Sequence, residues 1–237
     1  DYLPRFDYYF FYFFSRFFSV LEYGYFYVFL VYSIISILLL FYLLRSVGIV
    51  AALYFFITFG YMFIGFDRIR QFLAIIIFLY AARDIVNDRL FSYVLKIFIA
   101  TFFHVSAIVL IPAYFLCRIK FSNISITLFF VVSLIGFYLK IPEHFIYFLY
   151  EMVPYYKDIY AGTKYVENEG FNTGLGMLSR ALVLYLIIMF CDTDSKYKTL
   201  LLIGLILFVF GAGNLNIVRI ADYFISVSIF LFPSFVS

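Results

Sequence analysis

Four polar residues stand at the mouth of an otherwise apolar helix. They are Asp67, Arg68, Arg70 and Gln71, in the run GFDRIRQFLAIIIFLYAAR that starts at Gly65. A lone His104 sits between two apolar runs in FSYVLKIFIATFFHVSAIVLIPAYFL. Near the other end of the chain, Arg219, Asp222, Tyr223 and Ser226 fall on one helical face at i, i+3, i+4 and i+7. Arg180 lies one turn into its own apolar helix. Arginine presents a planar, always-charged fork that grips phosphate oxygens. Histidine can serve as a general base, or donate to a sugar or phosphate oxygen. An arginine in hydrocarbon costs roughly 2.5–3.5 kcal/mol, so such groups need paired partners, a wet cavity or an anionic ligand. Plainer roles exist for each. Arg68 and Arg70 could snorkel to the membrane edge, His104 could bond a carbonyl freed by a turn, and Arg219 with Asp222 could form a local pair. Gln71, one step inside the helix, favours a pocket for a lipid-linked phosphate.

The elements that carry these residues are membrane helices. The 237-residue chain is 66% hydrophobic and 13% charged, with a mean hydropathy of +1.05. A soluble domain carries about 25% charge. A single transmembrane domain covering 1–237, all-α and polytopic, is expected. The chain opens on Asp1 rather than Met and stops directly after an apolar helix, so a missing N-terminal start and a cut C-terminus are also expected. Nucleic acid is excluded as a partner, because the basic residues are scattered rather than grooved. Cys117 and Cys191 stand far apart and read as packed or lipid-facing thiols. An aromatic share of 25% without Trp suits interface belts and sugar-stacking surfaces alike.

In chain order, residues 1–23 read as an interfacial segment broken by charges. Spans follow at Tyr25–Leu44, Val47–Ile64 and Arg70–Ala82, with a tight turn at Arg45-Ser46 between the first two. Ala74, Ala81 and Ala82 give the third a small face that admits a neighbour. Later spans are Ile124–Leu139, Met177–Phe190, Leu200–Phe210 and Arg219–Phe235. Leu90–Leu116 reads as two short legs meeting at His104, each about 20 Å long at 1.5 Å per residue. Lys96, Ala100 and His104 share a face of the first leg. The positive-inside rule favours the turn over one long helix. With it, Arg45, Arg83, Arg89, Arg118, Lys120, Lys196 and Lys198 all fall on one side, taken as the cytoplasm. The opposite side receives residues 1–24, the Asp67–Arg70 turn, His104, the 141–176 loop and residues 211–218.

The loop 141–176 has no spanning apolar run, and its two lysines are outnumbered by five carboxylates. It carries Tyr155, Tyr156, Tyr160 and Tyr165 and a glycine-rich exit, GFNTGLG. A loop this long is usually functional or disordered. Its tyrosines favour sugar binding by stacking. Asp192-Thr193-Asp194 spells a D-x-D, but it stands in a short loop beside Lys196 and Lys198 without further ligands. No H-E-x-x-H, Walker loop or G-x-S-x-G occurs, which argues against those enzyme classes.

Three motifs in order carry a resemblance: Arg68-x-Arg70-Gln71-x-x-Ala74, then Phe103-His104-x-Ser106-Ala107, then Arg219-x-x-x-Tyr223-Phe224 with a later Pro233. The chain resembles the EpsG family over nearly its whole length. Those membrane proteins are related to Wzy-type polysaccharide polymerases. One departure is Glu22-Tyr23-Gly24-Tyr25, with Tyr where the family has Pro. The resemblance implies a GT-C-like polytopic glycosyltransferase fold in a bacterial inner membrane. It implies polymerisation of polyprenyl-diphosphate-linked oligosaccharide repeats, as for an O-antigen, capsule or exopolysaccharide, with a chain-length regulator protein as a candidate partner. On this reading Arg70 and Arg219, with Arg68 and Arg180, hold the diphosphate. His104 is the base or donor, Glu22 and Asp222 are reserve carboxylates, and Gln71, Tyr155, Tyr156, Tyr160 and Tyr223 contact substrate. No cofactor or metal is called for if arginine supplies the positive charge. The rivals are a flippase or transporter of the same lipid-linked sugar, and a membrane sugar acyltransferase.

Overall fold

The computed structural model describes residues 16–17, 24–58, 68–141, 175–212 and 214–236, and every element among them is helical. The first long helix, α1 (Gly24–Val47), is apolar all round. It buries only a stripe through Val28, Tyr32, Ser36 and Leu40, while Phe26, Leu30, Leu38 and Phe41 are exposed. In water that outer face would be unfavourable; in hydrocarbon it is the expected surface. By length and composition, Phe26–Val47 is able to cross a bilayer. The other helices of ten residues or more that are apolar enough are shorter than a full span.

The turn expected at Arg45-Ser46 is not there. Both residues are helical, and the break comes at Gly48, whose φ of +95° suits a residue without a Cβ. The short α2 (Ile49–Thr58) follows. Next comes α3 (Ile69–Val86), one turn longer than the expected third span. The extra turn is tolerated because its buried Asp84 pairs with Lys96 and accepts from Ser92 at 2.8 Å. Ala74, Ala81 and Ala82 are fully buried in the shared core, as the small face requires.

The chain turns at His104. Helix α4 (Leu90–Phe103) stops there, with His104 extended at φ −151° and ψ 114°, and a 3₁₀ turn covers Val105–Leu110. The short α5 (Ala113–Leu116) begins after Pro112. The Tyr93 hydroxyl donates to the carbonyl of Leu110, and the Tyr93 and Tyr114 rings lie 5.4 Å apart. A straight helix would separate residues 93 and 110 by about 25 Å at 1.5 Å per residue, so these contacts require a hairpin.

Helix α6 (Asn123–Tyr138) is capped by Ser122, whose hydroxyl accepts from Ser125 N–H. Helix α7 (Leu175–Phe190) packs beside α6 through Tyr185, stacked on Phe130 at 4.8 Å and bonded to Thr127 at 2.9 Å. Helix α8 (Ser195–Phe210) is capped by Asp194. That cap gives one carboxylate of the D-x-D a structural task. Cys117 and Cys191 are both buried, their thiols on the carbonyls of Tyr114 and Leu231.

The last expected span is two helices, α9 (Leu215–Ser226) and α10 (Ser228–Val236), bent by 51°. Around the bend the hydrogen bonds tighten to i−3: Val227 N–H donates to Phe224 and Phe230 N–H to Val227. The Ser226 hydroxyl also bonds the Tyr223 carbonyl, and such back-bonding bends helices. Tyr54 of α2 secures the far side, donating to Ser228 at 2.9 Å and stacking on Phe232 at 3.9 Å.

Gly204 lets α8 and α9 touch. A Cβ there would lie 2.8 Å from both the Ile225 nitrogen and the Phe224 Cβ. Backbone cannot yield as a side-chain tip can, so Gly204→Ala is expected to destabilise by about 1–3 kcal/mol. A lowered thermal midpoint of the purified chain in detergent checks this.

One end of the bundle is tied across sequence. Arg83 donates to Ser46, Lys196 meets Asp88 at 2.8 Å, and Arg118 meets Asp88 at 3.5 Å. Lys196 also donates to the carbonyls of Ile85 and Val86. The hydrogen bond from Lys196, aided by the Lys196 and Arg118 charges, holds the exposed Asp88 carboxyl below its ordinary range. A depressed carboxylate is linked to the fold above its unfolded value, so the tie is present at neutral pH. It is lost as pH falls through the lowered value. Arg83, Arg118 and Lys196, three of the basic residues assigned to one side by charge counting, thus gather at one end. Cysteines placed at Asn87 and Asn123 are expected to react with a membrane-impermeant thiol reagent from the same side. Labelling from opposite sides would rule out the hairpin in the membrane.

Candidate functional site

The opposite end of α3 begins with Arg68, a buried helix away from the Asp88 tie. Its guanidinium reaches Asp222 of α9 at 3.4 Å. Arg180 of α7 approaches the same carboxylate at 3.8 Å and lies over the Phe208 ring, 4.9 Å from its centre. Arg219, one turn before Asp222, also acts on it electrostatically. Gln71 ties α3 to α9 by donating 2.8 Å to the Arg219 carbonyl. Asp222 is 3% exposed and Gln71 2%, so this polar group is set into the protein rather than spread over its surface. A buried carboxylate is sustained only by paired charge; here the Arg68 and Arg180 guanidiniums pair with it and the charge of Arg219 adds to theirs.

The start of α9 is fixed locally. Asn214 caps it, its side chain accepting from Asn216 N–H at 3.0 Å and Ile217 N–H at 3.2 Å. Helical spacing then carries Asp222 and Tyr223 inward. Tyr223 is fully buried, its ring edge-on to Phe78 at 6.2 Å. Its hydroxyl accepts from Ser106 at 3.4 Å, and Ser106 lies 2.6 Å from His104 Nδ1. The extended backbone at His104 directs the ring and the first 3₁₀ turn toward α9.

The structure therefore joins Arg68, Gln71, His104, Arg180, Arg219, Asp222 and Tyr223 at one end. Arg70 belongs to the same end, close enough to α1 for its charge to act on the Tyr32 phenol. Tyr32 in turn packs edge-on against Phe103, beside His104, at 5.7 Å. Lys96 shares a helical face with His104 but points its amine to Asp84 of α3 and to Ser92, one turn earlier in α4, toward the open end of the hairpin. Glu22, Asp67, Tyr155, Tyr156, Tyr160 and Tyr165 lie outside the described residues. Among the described residues, no group of His, Cys, Asp or Glu could hold a metal ion.

Arg180 is more central than its spacing suggests, because α7 and α9 both pack on α8. Ser106, two residues after His104, is the participant that sequence left without a role. A hydroxyl at i+2 from a histidine across a helix break is the signal that points to it. Chemically, converging guanidiniums suit an anion with several oxygens, and an imidazole beside them suits proton transfer.

No curated protein and no solved structure matches the chain. A family model described as EpsG family matches residues 2–237, and on that match, with helical architecture throughout the described residues, the chain belongs to the EpsG family.

Proposed function

We propose that this chain is a glycosyltransferase that polymerises polyprenyl-diphosphate-linked oligosaccharide repeats at the outer face of a bacterial inner membrane, on a multi-pass, GT-C-like scaffold. EpsG membership points to a polysaccharide-polymerase-like membrane protein. The observation that carries the finer reading is the pairing of Arg68 and Arg180 with Asp222, with Arg219 one turn before it on α9 and His104 beside them. In the reaction, an acceptor sugar hydroxyl attacks the anomeric carbon of the donor. The bond from that carbon to the diphosphate oxygen breaks, and the diphosphate leaves with the electron pair. Arginine forks meet the charge that develops on the leaving oxygens. His104 takes the proton of the attacking hydroxyl. Arg70 adds charge from the α1 side, and Asp222 holds the arginines in position. The Gln71 Oε1 accepts no hydrogen bond among the described residues and offers an acceptor to a sugar hydroxyl. Glu22 and the loop tyrosines Tyr155, Tyr156 and Tyr160 complete the sugar-binding side of the proposal.

A flippase would need such groups along a continuous path. Here they gather at one end, and the other end is tied by Asp88, which favours the enzyme. Cells lacking this protein are expected to accumulate lipid-linked single repeats and to lose long polymer, read on a gel of extracted polysaccharide. Repeats trapped on the cytoplasmic leaflet would instead indicate transport.

A further inference from the structure

We propose that the groove between α1 and α2 holds one acyl chain of an anionic phospholipid, with Arg45 on the headgroup phosphate. Gly48, at φ +95°, turns the chain from α1 into α2. A cavity of about 540 Å³ lies between the two helices, lined by α1 from Ile37 to Arg45, by Gly48, and by Ile49, Ala52 and Phe56 of α2. Ligand-sized cavities run from roughly 300 to 1,000 Å³. Leu40 and Leu44 are buried and form the floor, while Ile37, Phe41, Ile49 and Phe56 are exposed and form the rims. Nothing lies within 4 Å of the place a Cβ on Gly48 would take, so the groove is open at that end.

Length and charge together select the occupant. From Ile37 to Gly48 the helix rises about 16 Å at 1.5 Å per residue, half of a hydrocarbon core about 30 Å thick. That is the depth of one leaflet, which suits an acyl chain rather than a spanning helix. Arg45 is the one charged residue on the lining. Among the described residues it has no carboxylate partner, whereas Arg118 and Lys196 share Asp88. A guanidinium at the mouth of an apolar groove complements a phosphate on a tail. The neighbouring Ser46 receives Arg83, which sets Arg45 at the tied end, the one that charge counting assigns to the cytoplasm. The cytoplasmic leaflet carries anionic lipid, and basic pockets between membrane helices on that side bind such headgroups. The polyprenyl tail of the proposed donor fits less well. Its diphosphate belongs with Arg68, about 22 Å from Arg83 along α3 at 1.5 Å per residue.

The probe is phosphatidylglycerol with a photoreactive diazirine on one acyl chain, added to the full chain purified in detergent. After illumination, peptide mass spectrometry is expected to find the adduct in the groove, at Phe41, Ile49 or Phe56. Unlabelled phosphatidylglycerol is expected to compete about tenfold better than phosphatidylcholine, the effect of one charged hydrogen bond. Arg45→Gln is expected to abolish that preference while labelling persists. Ala52→Phe is expected to fill the groove and remove the label. Adducts elsewhere, or equal competition by the two lipids with Arg45 intact, overturn the proposal whether or not the variants fold. A headgroup preference that survives in folded Arg45→Gln also overturns it. So does a polyprenyl phosphate that competes better than phosphatidylglycerol, since the groove would then seat the substrate tail. A dimer that Ala52→Phe converts to monomer would put a second copy in the groove and overturn it too. None of these readouts uses turnover, so failure of the polymerase reading would leave the lipid assignment standing.

Discussion

Arg180→Lys and Arg219→Lys should each remove most polymer while the protein still reaches the membrane in near-normal amount. Arg180 and Arg219 come from helices α7 and α9, and both act on Asp222. A diphosphate carries about two charges and many acceptor oxygens, so one guanidinium cannot saturate it. Lysine keeps the charge but loses the planar two-pronged geometry. A charged hydrogen bond contributes roughly 1.5–3 kcal/mol, which corresponds to about a 10–100-fold loss of rate per arginine. Arg70→Lys is expected to follow the same direction. If these residues were only interfacial anchors, lysine would serve equally well, because it snorkels too. Full-length polymer from both the Arg180 and Arg219 lysine variants would falsify the diphosphate assignment. Asp222→Asn should behave differently. It leaves half-buried guanidiniums without their buried carboxylate, so the amount of protein should fall along with its product.

Replacing His104 by Asn should reduce polymerisation by roughly 10²–10⁴, the range a positioned base contributes. The protein should remain in the membrane. His104 ends α4 through its backbone N–H, which any non-proline residue supplies, and its side chain is only half-buried. The effect should appear in turnover and not in donor binding, since the arginines are untouched. Rate measured at saturating lipid-linked repeat separates the two. Unchanged turnover in the asparagine variant would remove His104 from the chemistry and leave it a structural pivot.

Much of this arrangement was legible in local pattern. Apolar runs marked most helices, and the distribution of Arg83, Arg89, Arg118 and Lys196 among short loops pointed to a turn at His104. Charge counting succeeded there because the hydrocarbon penalty acts on each loop separately. What was not legible depended on partners far away in the chain. Arg68 and Asp222 are 154 positions apart, and nothing in either neighbourhood encodes their meeting. The 51° bend was missed for a similar reason. Leu215–Phe232 is one apolar, helix-forming run ahead of Pro233, and the bend comes with a serine back-bond and with Tyr54 anchoring α10 at Ser228. The break at Gly48 was displaced because two polar residues, Arg45 and Ser46, looked like a turn. Helix geometry holds through them, and Ser46 spends its hydroxyl on the Leu43 carbonyl while receiving Arg83.

The hairpin from Leu90 to Leu116 leaves from and returns to the same end, its mouth closed by Asp88 and Arg118 at 3.5 Å. Such an excursion adds nothing to the parity of membrane crossings. On the proposed multi-pass reading, the helices before Arg89 and after Arg118 would therefore keep their inside–outside sense whatever the hairpin does. A reporter fused beyond Lys120 would report the same compartment with the hairpin or without it. The segment that carries His104 could thus have been gained, lengthened or exchanged during descent without inverting the rest of the protein. What ties the hairpin to the rest of the chain lies at both its ends: Asp88 and Arg118 at the mouth, and Ser106 against Tyr223 at the turn.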